Sequence, residues 1–408
     1  MPLYAYFFGG LLEKPYNKTN SAKQIAAWRI GEVGIKTNLE FGTEGGDEMK
    51  SKMEIFFLVL FLLSGPVVPA GHTCTAFVLK HGDRILFGEN FDWSVSDGLI
   101  MVNKRNVRKT AFSTGAGNQQ LVSWKSKYGS LTFNHVGREF FHGGINSKGL
   151  FVTGLMLRDS EYSPIDSRPI ISPTQWKQYI LDNCATVEQA IAIQSQIRIF
   201  YKSGRFPTHF FLADKSGRCA VIEFVEGKMI CSSGSAMPVN ILTNSTYANS
   251  IEYLKEHEGF GGKRLVSNSS SSLDRFVRTT NMVKSYNPKS SGSMVDYGFK
   301  VLDNVAQGEY TAWRIIYDVN EMRIYFITLF NPKIQYIDLK SFDLSCDAPP
   351  EIFDLNNKVT GDVTKYFKYY TTQANRDLIT RVNSFYHFSL NILDALTQYS
   401  EDLLCVEE

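Results

Sequence analysis

Residues 50–74 constrain this chain more than any other stretch, because they decide where the folded protein begins. Lys50 and Lys52 precede nine uninterrupted apolar residues, Ile55 to Leu63, followed by Ser64-Gly-Pro-Val-Val-Pro-Ala70 with small residues at Val68 and Ala70. A basic start, an apolar middle and a small-residue end are the three parts of a secretory signal peptide. The apolar run is too short to cross a bilayer core, which takes about 20 residues, and no later run reaches that length. The expectation is an exported protein, periplasmic or secreted, without stable membrane insertion. Because a signal peptide belongs at a chain start, residues 1–52 read as an upstream segment outside the mature protein, with translation starting at Met49 or Met53. Residues 53–73 read as signal peptide plus a short propeptide. The other reading of 55–63, a buried strand of an N-terminal domain, rests on the ambiguity of short apolar runs. Cleavage after Ala70 leaves Gly71-His72-Thr73, so a later cut or a trimming step makes Cys74 the first residue. A lipid anchor on Cys74 fits poorly, since Thr73 and His72 are not the small and aliphatic residues that chemistry wants.

Cysteine at a chain terminus carries a nucleophile and a base in one residue. The thiol has a reference pKa near 8.5 and the α-amine near 7.7–8.0, so the amine can take the thiol proton and later return it to a leaving nitrogen. Such a site still needs a group to orient the amine, donors for a tetrahedral oxyanion, and charge to settle the thiolate. The segments Cys74-Thr-Ala-Phe-Val-Leu-Lys80 and Arg84-Ile-Leu-Phe-Gly-Glu-Asn-Phe-Asp-Trp93 are β-prone and joined across His81-Gly82-Asp83, which is hairpin chemistry. Pairing folds Asn90 and Asp92 back toward Cys74, where Asp92 can hydrogen-bond the terminal amine. Taken alone, an Asp at a strand end is more often a turn or cap residue.

With Lys plus Arg at 43 and Asp plus Glu at 41, no long block of one sign follows residue 74, which argues against a nucleic-acid partner. The six cysteines show no C-x-x-C or His-rich spacing, so no metal is expected. Setting Cys74 aside leaves five, an odd count, and no disulfide framework is expected.

Cys74-Thr-x-Phe followed by Gly88-x-Asn-x-Asp92-Trp resembles the choloylglycine hydrolase and penicillin V acylase family of N-terminal-nucleophile hydrolases. Further matches follow in order: Gly143-Gly-Ile-Asn146-Ser-Lys148-Gly149-Leu150, the helical pair across Pro173 to Ala190, Thr208 to Gly217 with Ala220 to Glu223, Leu242-Thr-Asn244, Ser271 to Arg278, and Tyr310-Thr-x-Trp313-Arg314. The resemblance runs from Cys74 to about Leu344. It implies an α+β fold, a four-layer αββα sandwich over residues 74–345, with 346–408 as a C-terminal helical extension. The residues agree: Pro173 suits a helix start, Thr186-x-x-Gln189 suits a capping box, and Asp214-Lys-Ser-Gly217 suits a hairpin turn.

The resemblance also implies roles: Cys74 as nucleophile, Asp92 as partner of the terminal amine, Asn244 as oxyanion donor, and Arg275 as the charge near the thiolate with Arg278 in reserve. Outside that context Asn244 sits in an Asn-Ser-Thr glycosylation sequon and reads as a turn former, and either arginine reads as a surface salt bridge. The implied activity is hydrolysis of a linear amide in a small N-acyl substrate (conjugated bile salt, penicillin V or another N-acyl amino compound) through a thioester acyl-enzyme, without metal or organic cofactor. Two departures bear on it. Glu89 stands where many bile-salt hydrolases carry Arg, and Met156 stands where relatives often carry Asn or Tyr. They motivate the alternative of an exported binding protein on the same scaffold that has lost catalysis. Homo-oligomer formation stays open. Residues 258–272 read as a mobile Gly- and Ser-rich surface loop, and Val382, Phe385, Tyr386, Ile392, Leu393 and Leu396 as one amphipathic helix.

Overall fold

In the computed structural model the described residues are 73–406, apart from 113, 114, 116 and 201–205. The upstream segment and the signal-peptide reading lie outside them. Thr75–His81 pairs antiparallel with Arg84–Asp92, and His81 opposes Arg84 so that Gly82-Asp83 forms the turn. Gly82 adopts a φ of 59°, a left-handed conformation that glycine takes without a Cβ penalty. The hairpin lies within a seven-stranded sheet of order Ile241–Leu242, Thr75–His81, Arg84–Asp92, Thr311–Asp318, Arg323–Thr328, Gln335–Asp338, Gly361–Asp362.

The second sheet has nine strands in the order Lys228–Ser233, Cys219–Val225, Thr208–Ala213, Phe151–Met156, Phe141–Asn146, Ser130–Asn134, Leu99–Asn103, Glu351–Asp354, Lys368–Tyr369. The two sheets meet face to face through aromatic rings. Phe87 and Tyr317 of the first stack or tilt against Phe151 of the second at 5.4 and 4.9 Å, and Phe133 packs on Phe326 at 5.7 Å. Helices cover the outer faces. Ser272–Lys284 and Met294–Asn304 pack on the seven-stranded sheet, and Pro173–Asn183 packs on the nine-stranded one, Trp176 lying 4.2 Å from Phe210. The sandwich is therefore αββα. Caps fall where the residues suggest: Ser172 precedes Pro173 and accepts from the Gln175 N–H, and Thr186 accepts from the Gln189 N–H.

Two expectations need correction. Cys346 and Cys405 form a disulfide, 59 residues apart; an odd count leaves one cysteine over but does not prevent a single bond, and Cys184, Cys219 and Cys231 stay free with Cys74. The C-terminal periodicity belongs to two helices, Thr372–Tyr386 and Leu390–Tyr399, broken at His387 with a φ of 55°. These helices fold back on their own chain: Phe385 packs on Trp93 at 5.8 Å and Asn375 accepts the Arg138 N–H at 2.8 Å. The segment before them is not purely helical, since Glu351–Asp354 pairs with Leu99–Asn103 inside the large sheet. No helix among the described residues is long and apolar enough to cross a membrane.

Candidate active site

Cys74 precedes the first strand and is 3% exposed. In the full chain its nitrogen is the Thr73–Cys74 amide. Thr75 opposes Asn90 in the hairpin, a register that carries Asp92 alongside Cys74. Asp92 acts on the thiol in two ways: its charge disfavours the thiolate, while its main-chain N–H hydrogen-bonds the sulfur. Burial is the larger influence and pushes the Cys74 thiol well above its ordinary value, with Arg275 pulling the other way. The Asp92 side chain accepts from Thr311 Oγ1 at 2.6 Å through Oδ1. Its Oδ2 is buried and has no hydrogen-bond donor among the described residues. Burial raises the carboxyl from 3.8 to about 7 against the pull of Arg275.

Arg275 ties the site together. Helix Ser272–Lys284 starts at Ser271, whose hydroxyl accepts from the Asp274 N–H, and its first turn aims Arg275 at the hairpin. Nη1 donates to the Cys74 carbonyl at 2.8 Å and to Thr75 Oγ1 at 2.7 Å, Nη2 donates to Asn244 Oδ1 at 2.9 Å, and Nε donates to the Ser270 carbonyl at 3.2 Å. Arg278, one turn on, instead reaches Asn304 Oδ1 and the carbonyls of Ser267 and Ser269. The Gly- and Ser-rich loop therefore supplies carbonyl acceptors to both arginines.

Asn244 follows the short strand Ile241–Leu242, which pairs with Thr75–His81. Its backbone N–H donates to Ser272 Oγ at 2.8 Å and its Nδ2 donates to the Met156 carbonyl at 2.8 Å. Because Arg275 can only donate, it fixes the amide with Oδ1 toward itself and Nδ2 toward the end of Phe151–Met156. A buried brace stands behind it. His209 Nε2 lies 2.8 Å from the Thr243 carbonyl, His209 Nδ1 lies 2.9 Å from Glu223 Oε1, and Glu223 accepts the Tyr247 N–H at 2.9 Å. His209 and Glu223 fall inside matched motifs, but their partnership, across two strands, has no local signature.

Glu89 lies on the strand face turned to the other sheet. It accepts from Tyr317 Oη at 2.6 Å, and its Oε2 is 3.2 Å from His142 Nε2. Burial opposes its ionisation, but His142, Thr153 and Tyr317 together hold it below the usual carboxylate value. The four residues singled out from the sequence, Cys74, Asp92, Asn244 and Arg275, are thus brought together. Ser272 and Thr311 were not singled out, because each acts through a contact distant in sequence, and Thr75 was considered only for its main-chain N–H, whereas its hydroxyl meets Arg275.

Such an arrangement on an αββα sandwich defines an N-terminal-nucleophile hydrolase fold, in which a strand-leading residue presents its side chain at the edge between two sheets. The chain belongs to the linear amide C-N hydrolases, choloylglycine hydrolase family, whose sequence profile matches residues 74–361, and it is a hydrolase of carbon–nitrogen bonds in linear amides. It is 27% identical over 343 residues to a penicillin V acylase of Pectobacterium atrosepticum, covering 73% of this chain and 88% of that protein. Its fold is similar to that of penicillin V acylase from Agrobacterium tumefaciens, with a TM-score of 0.61, 26% identity, and coverage of 73% of this chain and 98% of that one. A variant of conjugated bile acid hydrolase from Clostridium perfringens shares the fold at 20% identity, with a TM-score of 0.59 and coverage of 70% and 98%.

Proposed function

We propose that the mature protein begins at Cys74, after export and removal of residues 1–73, and cleaves the amide of a small N-acyl substrate through a thioester. The observation that carries this is Asp92 Oδ2, a buried carboxyl oxygen without a hydrogen-bond donor among the described residues, on a side chain whose charge acts on the Cys74 thiol. A buried acceptor left unpaired costs about 1–3 kcal/mol. A free terminal ammonium at residue 74 would supply the missing donor and favour the ionised carboxylate.

The chemistry then follows from the residues present. The α-amine of Cys74 takes the thiol proton, and the sulfur bonds to the substrate carbonyl carbon. Negative charge collects on the carbonyl oxygen, toward which Asn244 Nδ2 and a main-chain N–H at the end of Phe151–Met156 donate. As the oxyanion collapses, the C–N bond breaks and the terminal ammonium gives its proton to the leaving nitrogen. Water, deprotonated by the same amine, attacks the thioester and releases the acid. Arg275 holds the Cys74 carbonyl and the Asn244 amide in one frame, and its charge favours the thiolate. Substrates of this class include penicillin V, conjugated bile salts and other N-acyl amino compounds. The two penicillin V acylases support the first, and Glu89 in place of the Arg found in many bile-salt hydrolases weighs against the second.

An exported binding protein that has lost catalysis is the second reading, favoured by Met156, which leaves a main-chain group where relatives often offer a side chain. Intact mass and N-terminal sequencing of the exported protein separate the two readings, before and after an amide analogue that traps a terminal thiol. A chain starting at Cys74 with the adduct on that residue supports the hydrolase. A chain starting at Gly71 that never forms the adduct overturns it.

A further inference from the structure

The loop that supplies carbonyls to Arg275 and Arg278 also carries a signal that the proposed chemistry leaves unused. Two Asn-x-Ser/Thr sequons fall among the described residues, Asn244-Ser245-Thr246 and Asn268-Ser269-Ser270, and they stand in opposite surroundings. Asn244 is half-buried, its Nδ2 donates to the Met156 carbonyl, and its Oδ1 accepts from Arg275. The nitrogen that a sugar would occupy is already engaged there. Around the second sequon, residues 265–270 form neither helix nor strand, and Asn268, Ser269 and Ser270 are all exposed. No hydrogen bond among the described residues uses the Asn268 amide or the Ser270 hydroxyl.

What holds this stretch acts on its main chain. The Ser267 and Ser269 carbonyls accept from Arg278 Nη1 at 2.8 and 2.7 Å, and the Ser270 carbonyl accepts from Arg275 Nε at 3.2 Å. The backbone is therefore pinned on both sides of Asn268 while its side chain stays in solvent. Leu265 and Val266, just before it, are 73% and 37% exposed, so a bulky group has room. A sequon in an exposed loop is the acceptor for N-linked sugar in an exported protein. The Cys346–Cys405 bond, exposed at Cys405, suits the same route, because disulfides persist in oxidising compartments.

We propose that Asn268 carries an N-linked glycan and Asn244 none, when the chain is exported through a compartment that holds an oligosaccharyltransferase. In the transfer, Asn268 Nδ2 bonds to the anomeric carbon of an oligosaccharide supplied as its polyprenyl diphosphate. The bond from that carbon to the diphosphate oxygen breaks, the diphosphate leaves with the electron pair, and Nδ2 gives one proton to the transferase. The inference rests on the export part of the proposed function and not on the hydrolysis.

The test is the full chain expressed for secretion from eukaryotic cells, its intact mass taken before and after peptide N-glycosidase, with peptide mapping of positions 244 and 268. The mass should fall by one glycan, and the peptide bearing residue 268 should show the conversion of asparagine to aspartate that the glycosidase leaves, with residue 244 unchanged. Asn268→Gln and Ser270→Ala should each abolish the loss of mass. Both variants keep the main-chain carbonyls that hold the two arginines, and the second keeps the asparagine itself. No loss of mass in the secreted wild-type chain overturns the inference, as does a loss that survives either variant or a glycan found on Asn244. A chain glycosylated at Asn268 that hydrolyses no amide would sink the proposed activity and leave the modification standing. A chain retained in the cell with residues 1–73 in place overturns export and glycan together.

Discussion

Replacing Asp92 by Asn should stop turnover in the mature chain and yet stabilise the unprocessed one above neutral pH. Asp92 is 1% exposed, and burial lifts its carboxyl from 3.8 to about 7. Between those values the folded chain holds a proton that the unfolded chain has lost. The carboxyl therefore carries no penalty below about pH 4, becomes unfavourable as pH rises through the window, and reaches its full penalty above about pH 7. The interval is roughly three pKa units, or about 4 kcal/mol at about 1.36 kcal/mol each. At about 2 cal/mol/K of unfolding entropy per residue, that corresponds to about 6 °C in Tm for a domain of this length. The assay uses a chain starting at Gly71 and carrying Cys74→Ala, which cannot free its own terminus, melted with and without Asp92→Asn at pH 4 and pH 8. The gain at pH 8 should exceed the gain at pH 4 by about 6 °C. Equal effects at the two pH values, or a larger gain at pH 4, would refute the raised carboxyl. In the proposed chain that begins at Cys74, where the ammonium would supply the donor to Oδ2, the same substitution should destabilise.

Asn244→Ala should lower kcat by about 10²–10³ with little change in KM, the loss expected for one oxyanion donor; a loss confined to KM would contradict the role. Arg275→Met leaves the Cys74 carbonyl, Thr75 Oγ1 and Asn244 Oδ1 without their donor, and should cost about 3 kcal/mol or more in urea unfolding. His209→Leu removes the hydrogen bonds to Glu223 Oε1 and the Thr243 carbonyl and should cost about 1–3 kcal/mol, with kcat falling as Asn244 loosens. Cys405→Ser opens a 59-residue loop and should cost up to about 4 kcal/mol in urea unfolding by the loop-entropy relation.

What could be read from the residues depended on the range over which each acts. The hairpin was legible from its turn residues, and the return of Asp92 toward Cys74 followed from it; the register was not, since the residues read as strands joined across His81-Gly82-Asp83, whereas His81 pairs with Arg84 and only Gly82-Asp83 turns. Asn244 was legible only through the resemblance, since nothing local separates it from a turn former. Arg275 was preferred over Arg278 through the resemblance alone, and the helix gives the physical difference: one turn further along, the Arg278 guanidinium faces Asn304 and the Ser267 and Ser269 carbonyls. The His209–Glu223 brace and the Cys346–Cys405 bond join segments far apart. Counting cysteines by parity could not replace knowing which two meet. The helix break at His387 escaped because a non-glycine residue takes the left-handed conformation there.

The charges around Cys74 also explain why a terminus is a useful switch at this position. Before processing, two buried carboxyls, Asp92 and Glu89, disfavour the Cys74 thiolate, and Arg275 opposes them. Burial favours the protonated Asp92 and the neutral thiol, so the unprocessed site is held in its unreactive protonation state. In the proposed mature chain the new ammonium adds one positive charge beside Asp92. That charge favours the carboxylate, and the carboxylate in turn keeps the amine near the sulfur. One cleavage thus supplies the base, its anchor and the charge that the sulfur needs. The order of events is testable: a peptide-linked Cys74 should alkylate slowly at pH 7, and the same residue at a free terminus should alkylate faster by about tenfold for each unit by which its pKa falls toward neutrality.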